Sequence, residues 1–196
     1  MSKARERLLE TAGRLFGERG YECVGINEII AKAEIAKATF YQHFPSKEAL
    51  CAAWLRGVEE HYAAMHRELL DDPRPARKKV AAMFDLLSCQ VKSSGYTGCP
   101  FCVTSTMVPA DSEVRQVIFG FRERVRSFWH SMARELGVKG VAARNLGDAW
   151  LLLNTGSVTE AQNVGAIWPL EQAKKAALAL AAHASPKART AKVSQA

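Results

Sequence analysis

The feature that most constrains this chain is a pair of short amphipathic patterns between residues 25 and 50, separated by a tight break. In the first pattern, apolar residues recur at the i, i+3, i+4 and i+7 spacing that buries one face of a helix. These residues are Ile26, Ile29, Ile30 and Ala33. In the second pattern, Phe40 and Phe44 lie four residues apart and therefore share a helix face. Two short helices joined by a tight turn predict a helix-turn-helix.

The second of these helices carries side chains that are suited to binding nucleic acid. If Phe40 and Phe44 are buried, Ala38 and Gln42 lie at the centre of the outward face. Glutamine can form two hydrogen bonds with adenine, alanine can contact the thymine methyl group, and tyrosine, threonine and lysine can bind phosphates. The predicted DNA-contacting residues are Lys37, Ala38, Thr39, Tyr41, Gln42, His43 and Lys47.

At these residues the chain resembles the TetR family of bacterial transcriptional regulators. It matches the N-terminal pattern of that family in register at Ile29, Ala33, Ile35, Phe40, Tyr41, His43, Phe44, Lys47 and Leu50. The resemblance is close over about 50 residues, and beyond them it extends to length and helical layout. It implies a homodimer that binds double-stranded DNA and carries a second, ligand-binding helical domain.

Four positions depart from the family pattern. Ile30 replaces the usual alanine, Glu34 the glycine of the turn, Ala36 the capping serine, and Ala38 the usual glycine. Loss of a capping serine removes a hydrogen bond worth ~1 kcal/mol, and Glu34 adds a negative charge near the DNA phosphates. These departures bear on DNA affinity and operator sequence more than on the fold.

The overall charge fits a nucleic-acid binder, but its distribution does not concentrate on the helix-turn-helix. The 196 residues have a formal net charge of +7, whereas residues 1–50 contain eight Lys or Arg against seven Glu. The basic groups of residues 2–19 alternate with glutamates and precede no apolar segment, so they do not predict a signal peptide. No apolar run approaches the ~20 residues of a membrane span, and we expect a cytoplasmic protein without membrane contact.

Glycine and proline breaks divide the chain into about nine predicted helices, which indicates an all-α fold. Besides the helix-turn-helix, helices are predicted at about 3–19, 47–70, 76–93, 100–108, 111–136, 141–165 and 170–184. We predict a DNA-binding domain over residues 1–46 and a ligand-binding and dimerisation domain over residues 47–184. Residues 185–196 have no apolar period and predict a disordered basic tail.

The last two predicted helices are rich in small residues, which allow helices to approach closely. Ala149, Gly156, Ala177 and Ala181 would suit a four-helix packing between two subunits. The resemblance to the TetR family implies that these two helices form the homodimer interface. The alternative is that the small residues pack only within one chain.

The segment Cys99-Pro100-Phe101-Cys102 is a candidate thiol site. Five cysteines without a secretion signal indicate reduced thiols. If Pro100 is the first helical residue, Cys99 is the N-cap and Cys102 lies in the first turn, where the helix dipole would lower both thiol pKa values. This arrangement predicts a sensor of oxidants or electrophiles. The alternative, which we favour, is that the two cysteines pack at the start of the helix.

The second domain carries many large apolar residues with few polar neighbours. This composition suits an apolar cavity with a few orienting hydrogen bonds, hence a hydrophobic or aromatic small-molecule effector. The predicted ligand-binding residues are Phe84, Leu87, Phe101, Thr104, Met107, Phe121, Phe128, Trp150 and Asn154. The alternative is that these residues simply fill a core.

Catalytic and cofactor-binding patterns are absent from the sequence. It contains no phosphate-binding loop, no Gly-x-Ser-x-Gly and no His-Glu-x-x-His. The five-residue spacing of His61 and His66 does not match a helical metal site, and no second Cys-x-x-Cys exists to complete a zinc site. We therefore expect neither an enzyme nor a metal or other cofactor.

The function expected from the sequence is that of a homodimeric repressor, which a small ligand releases from a palindromic operator. Ligand binding would shift the helix that begins at Lys47 and change the distance between the two recognition helices. Half-sites lie ~34 Å apart or at multiples of this distance, so a small change breaks simultaneous engagement. Two other functions stay open, a thiol oxidoreductase using Cys99 and Cys102, and a helical adaptor without DNA binding.

Overall fold

The computed structural model describes residues 2–184, and within them every regular element is an α-helix. The elements are α1 (Lys3–Arg19), α2 (Ile26–Ala33), α3 (Lys37–His43), α4 (Lys47–Asp71), α5 (Ala76–Ser93), α6 (Pro100–Ser105), α7 (Glu113–Glu135), α8 (Gly140–Val164) and α9 (Trp168–Ala184). The predicted all-α fold is confirmed. The predicted basic tail at residues 185–196 lies outside the described residues.

Helix α1 begins at a side-chain cap and ends at a glycine. The Ser2 hydroxyl accepts a hydrogen bond of 3.3 Å from the Arg5 backbone N–H, one of the groups that a helix start leaves without a partner. Gly20 follows the last turn with a φ of 81°, which an L side chain rarely adopts. Between these ends the helix buries one stripe, made of Leu8, Ala12, Leu15 and Phe16.

The turn between α2 and α3 is closed by two backbone hydrogen bonds. The Glu34 N–H donates to the Ala31 carbonyl at 3.2 Å, and the Ile35 N–H donates to the Ile30 carbonyl at 3.1 Å. This pair of bonds is a Schellman motif, in which Glu34 takes the left-handed position with a φ of 51°. The turn allows α3 to begin at Lys37, only four residues after α2 ends at Ala33.

The packing of Cα atoms divides the chain into two compact units. Among the described residues, unit 1 contains 2–63 together with Cys99–Phe121, and unit 2 contains Ala64–Gly98 together with 122–184. Helices α4 and α7 contribute residues to both units. The domain boundary predicted between residues 46 and 47 separates a DNA-binding from a ligand-binding function, which Cα packing does not test. It stays a prediction.

The core of unit 1 brings α1 and α4 into close contact. A Cβ atom on Gly13 would lie 2.5 Å from Nε1 of Trp54, so the absence of a side chain at Gly13 lets the indole pack against α1. Leu50 and Leu55 of α4 are fully buried in the same unit. In the second chain segment of unit 1, the rings of Phe101 in α6 and Phe121 in α7 stack with their centroids 3.6 Å apart.

The core of unit 2 is built around two tryptophans. Trp129 of α7 and Trp150 of α8 are both fully buried, with ring centroids 5.8 Å apart. Phe84 of α5 contacts Trp129 at 5.8 Å. The buried Lys79 ammonium donates a hydrogen bond of 2.7 Å to the Leu70 carbonyl and also forms an ion pair. A buried lysine needs such partners because desolvation of an isolated charge is costly.

Candidate nucleic-acid interface

Helix α3 presents the outward face that the sequence predicts. Phe40 is fully buried and Phe44, directly after the helix, is 3% exposed, so both aromatic rings anchor α3 in unit 1. The side chains of Lys37, Ala38, Tyr41 and Gln42 are exposed, and Thr39 is half-buried. About two turns of α3 are therefore exposed and could enter the major groove of DNA. The DNA-contacting role of these residues stays a prediction.

His43 occupies a different environment from the rest of this face. It is half-buried, and its Nε2 lies 3.1 Å from the hydroxyl of Ser2, the residue that caps α1. The Arg5 guanidinium lies 5.5 Å from the ring centroid of Phe44. These contacts join the end of α3 to the start of α1. His43 therefore helps to hold α3 against the start of α1, and its contact with DNA stays a prediction.

Lys47 is directed into the protein, although the sequence suggested a phosphate contact. Its ammonium donates hydrogen bonds of 3.1 Å to the carbonyl oxygens of both Tyr21 and Val24. It also lies 4.3 Å from the ring centroid of Tyr21. Burial raises the pKa of Tyr21 to about 12, so this phenol is neutral at neutral pH. Lys47 thus holds the α1–α2 loop against α4, a role that depends on carbonyl positions and has no signal in the sequence.

Ion pairs engage much of the basic charge in the helix-turn-helix region. Several basic side chains of residues 1–50 lie within 4 Å of a glutamate carboxylate. The pairs are Arg7–Glu34, Arg14–Glu18, Arg19–Glu28 and Lys32–Glu28. Lys37 is exposed at the first position of α3 and forms no ion pair among the described residues. A lysine at a helix N-terminus opposes the helix dipole, so a DNA phosphate would be a favourable partner for it.

The predicted ligand-binding residues are divided between the two units. Phe101, Thr104, Met107 and Phe121 belong to unit 1, whereas Phe84, Leu87, Phe128, Trp150 and Asn154 belong to unit 2. All are buried except Met107, which is half-buried. None of them lines the groove of about 400 Å³ between α1 and α4. Their ligand-binding role stays a prediction, and the aromatic residues among them pack against other aromatic rings of the same unit.

Sequence reasoning missed Trp129, whose indole N–H is a polar group within the aromatic core of unit 2. It is fully buried, and its indole N–H has no hydrogen-bond acceptor among the described residues. Its ring lies 5.1 Å from that of Phe128. A buried donor without an acceptor costs about 1–3 kcal/mol, so such groups commonly mark a site for a water or ligand. Trp129 lies four residues after the apolar Val125 of α7, so helical spacing could have indicated its burial but not its missing acceptor.

His66 lies in the core, whereas His61 is exposed. The imidazole of His66 stacks on the Phe128 ring, with centroids 4.1 Å apart and an interplanar angle of 13°. Burial lowers the pKa of His66 to about 4, so it is neutral at physiological pH. Among the described residues, no group of three or more His, Cys, Asp or Glu side chains could hold a metal ion.

The thiol prediction is correct about the N-cap and wrong about the pKa of Cys99. Pro100 is the first residue of α6 and Cys99 is its N-cap, as expected. However, a hydrogen bond with the Cys102 thiol and burial raise the pKa of Cys99 well above its usual value. Backbone N–H groups of Phe101 and Cys102 act in the opposite direction but do not outweigh these effects. The dipole of a helix of only six residues is a weak source of thiolate stabilisation.

The four small residues predicted for the dimer interface lie in different environments. Ala177 and Ala181 are buried within unit 2, so their methyl groups contact this chain, as the alternative stated. Ala149 is half-buried, and Gly156 is exposed with no atom within 4 Å of a Cβ built on it. Sequence reasoning missed the exposed apolar residues of α8 and α9, which are Val141, Leu152, Val164, Trp168 and Leu180. Leu152 lies four residues before Gly156, so helical spacing alone could have placed it on the same face.

Comparisons with known proteins agree with this geometry. The family model described as bacterial regulatory proteins of the TetR family matches residues 8–54, which include α2, α3 and the start of α4. The HTH-type transcriptional repressor NemR of Escherichia coli strain K12 is 43% identical over 67 residues, which cover 34% of this chain and 32% of NemR. The matched segment therefore spans about a third of that relative.

Two solved structures share the fold over nearly the whole chain. The TetR-family transcriptional regulator SCO4454 of Streptomyces coelicolor superposes with a TM-score of 0.86 at 24% identity, covering 94% of this chain and 91% of SCO4454. The reduced form of Escherichia coli NemR superposes with a TM-score of 0.74 at 25% identity, covering 90% of this chain and 95% of NemR.

A search of the described helices for a membrane-spanning segment finds none with the required length and hydropathy.

Proposed function

Because this chain belongs to the TetR family of helix-turn-helix regulators, we propose that it is a homodimeric transcriptional repressor. In this proposal it binds a palindromic operator and leaves it when a hydrophobic or aromatic small molecule binds. The observation that carries the proposal is the exposed face of α3. Lys37 and Gln42 face solvent there, while the buried rings of Phe40 and Phe44 fix the orientation of the helix.

The proposed contacts divide into those that position the protein and those that read sequence. Gln42 is the proposed base reader, since its amide can pair with two groups of adenine in the major groove. Lys37 and Tyr41 are the proposed phosphate contacts, and Ala38 would face a thymine methyl group. Lys47 is not a phosphate contact in this proposal, because its ammonium is already bound to two carbonyl oxygens.

The homodimer is supported by the exposed faces of α8 and α9. Leu152 is 71% exposed and Trp168 is 51% exposed, although large apolar side chains lose favourable free energy when they face water. A second copy of the chain would cover these residues, with Gly156 at the point where two helices approach most closely. A two-fold dimer requires an operator with matching two-fold symmetry.

The effector is proposed to bind in unit 2, beside Trp129. The indole N–H of Trp129 lies among aromatic rings without an acceptor from the described residues. An aromatic or hydrophobic molecule with one acceptor atom would satisfy this donor. Helix α4 contributes residues to both units, so a displacement of its C-terminal part would be carried along the same helix toward Lys47.

A salt-dependent DNA shift assay tests the proposal. The parent chain should bind duplex DNA with an affinity that falls as salt rises, since phosphate contacts release counterions. Lys37→Ala should weaken binding and reduce the slope of log K against log salt by about 0.9 for each phosphate that the variant no longer neutralises. Lys92→Ala removes an equal charge from α5, where Lys92 is exposed, and should change neither quantity. Absence of DNA binding at low salt would favour the adaptor alternative.

A further inference from the structure

The turn between α2 and α3 carries an ion pair that contributes little to the stability of the fold. Nη2 of Arg7 donates a hydrogen bond of 2.8 Å to Oε2 of Glu34. The two side chains are 48% and 82% exposed, and an ion pair so open to water changes a folding equilibrium by about fivefold or less. Glu34 also has a φ of 51°, a conformation that glycine adopts without strain and glutamate does not.

This ion pair lies beside the surface that would face DNA. Glu34 precedes Ala36, the N-cap of α3, by two residues. Arg7 lies in the first half of α1, whose N-terminal end contacts the C-terminal end of α3 through Ser2 and His43. Arg7 thus pairs with the turn that precedes α3, and Ser2, the N-cap of α1, contacts the last residue of α3. A free guanidinium at the position of Arg7 would be well placed for a phosphate that flanks the groove.

We propose that Glu34 competes with DNA for the guanidinium of Arg7 and thereby lowers the affinity of this chain for all DNA sequences. In the unbound chain, the carboxylate occupies hydrogen-bond donors that a phosphate oxygen would otherwise accept. A lower general affinity would shorten the time that the repressor spends on unrelated DNA. This inference rests on the proposed DNA-binding function.

Binding to a fluorescein-labelled duplex of random sequence tests this proposal at salt concentrations from about 50 to about 200 mM. Glu34→Gln should bind about tenfold more tightly at the lowest salt, and its salt slope should be steeper by about 0.9 per chain. Arg7→Ala should bind no more tightly than the parent, because Glu34 already occupies the Arg7 guanidinium in the parent. In the double variant, Arg7→Ala should remove the gain produced by Glu34→Gln.

Two controls separate this effect from net charge and from backbone strain. Glu18→Gln removes the same charge from α1, where Glu18 pairs with Arg14 at 3.6 Å, and should leave DNA affinity unchanged. Glu34→Gly relieves the left-handed strain and should give the same gain as Glu34→Gln. If Glu34→Gly alone bound more tightly, the backbone would be responsible and the proposal would be wrong.

Two further results would overturn the proposal while leaving the DNA-binding function intact. In the first, Glu34→Gln binds no more tightly than a parent that does bind DNA. In the second, the gain persists in the double variant, which would mean that repulsion by Glu34 acts without Arg7. A parent that binds no duplex at low salt would instead overturn the proposed function, and this inference with it.

Discussion

The indole N–H of Trp150 donates a hydrogen bond of 3.1 Å to the carbonyl oxygen of Ala177, which ties α8 to α9 within unit 2. Ala177 is fully buried at this contact. A side chain larger than alanine at position 177 would therefore disrupt the packing of α8 against α9 within one chain, whether or not it also affected a subunit contact. Gly156 of α8 differs, because space around it is open.

The dimer proposal predicts different outcomes for arginine at these two positions. Gly156→Arg should fold normally but sediment as a monomer that binds palindromic DNA weakly, because a charge would be buried between the subunits. Ala177→Arg should instead lower the free energy of unfolding by about 3 kcal/mol or more, since it places a charge in the core. Gly17→Arg, at another open helical glycine, is the control and should stay dimeric. A dimeric Gly156→Arg would place the interface elsewhere.

Lys47→Ala should destabilise the chain without changing the salt dependence of DNA binding. This substitution removes two hydrogen bonds from a charged donor and the packing of the ammonium on the Tyr21 ring, which together suggest a destabilisation of about 2–4 kcal/mol. Urea denaturation measures this change, and a DNA titration measures the salt slope. A reduced slope with unchanged stability would show that Lys47 contacts phosphate after all. Lys37→Ala is the matched variant, expected to reduce the slope and leave stability unchanged.

The contrast between Lys37 and Lys47 shows what the sequence could and could not predict. Spacing predicted the helices, the burial of Phe40 and Phe44 and the exposure of Gln42, because each depends on local periodicity. The partners of Lys47 depend on where the α1–α2 loop places its carbonyl groups. That arrangement arises only from tertiary packing, so residue type alone suggested a phosphate contact.

The same limit applies to the thiols and to the small residues of the last helices. Sequence placed Cys99 at a helix N-cap, but its pKa depends on burial and on a hydrogen bond with Cys102, neither of which is visible in a motif. Small residues predicted close helix packing without stating whether the neighbouring helix belongs to the same chain. Burial assigns Ala177 and Ala181 to contacts within this chain.

Because His66 is buried, we expect the free energy of unfolding to rise with pH across the mildly acidic range. Burial lowers its pKa from 6.5 to about 4, so between these values the unfolded chain binds a proton that the folded chain does not. The free energy of unfolding should therefore fall as the pH is lowered from about 6.5 to about 4, by roughly 2–3 kcal/mol. His66→Phe can retain the stacking on Phe128 and should remove most of this dependence. His61→Phe, at an exposed position, should not, and equal pH profiles for all three proteins would contradict this assignment.

The thiols are expected to be dispensable for release from DNA. The raised pKa of Cys99 leaves little thiolate to react at neutral pH. A double Cys99→Ser, Cys102→Ser variant should therefore respond to candidate ligands as the parent does. Release is measured by fluorescence anisotropy of a labelled operator, with hydrogen peroxide or an electrophile as the competing input. If an oxidant or electrophile released the parent but not this variant, the cysteines would be the sensor.

Selection of bound sequences from a random duplex library tests most directly the claim that α3 reads DNA as one half of a dimer. The account predicts an inverted repeat whose half-sites are centred about one helical turn apart, ~34 Å, or a multiple of that distance. Selection with Gln42→Ala should return the same repeat with relaxed preference at one base position in each half-site, corresponding to about 1–3 kcal/mol. Enrichment of no repeat by the parent, or an identical preference in the Gln42→Ala variant, would contradict the account.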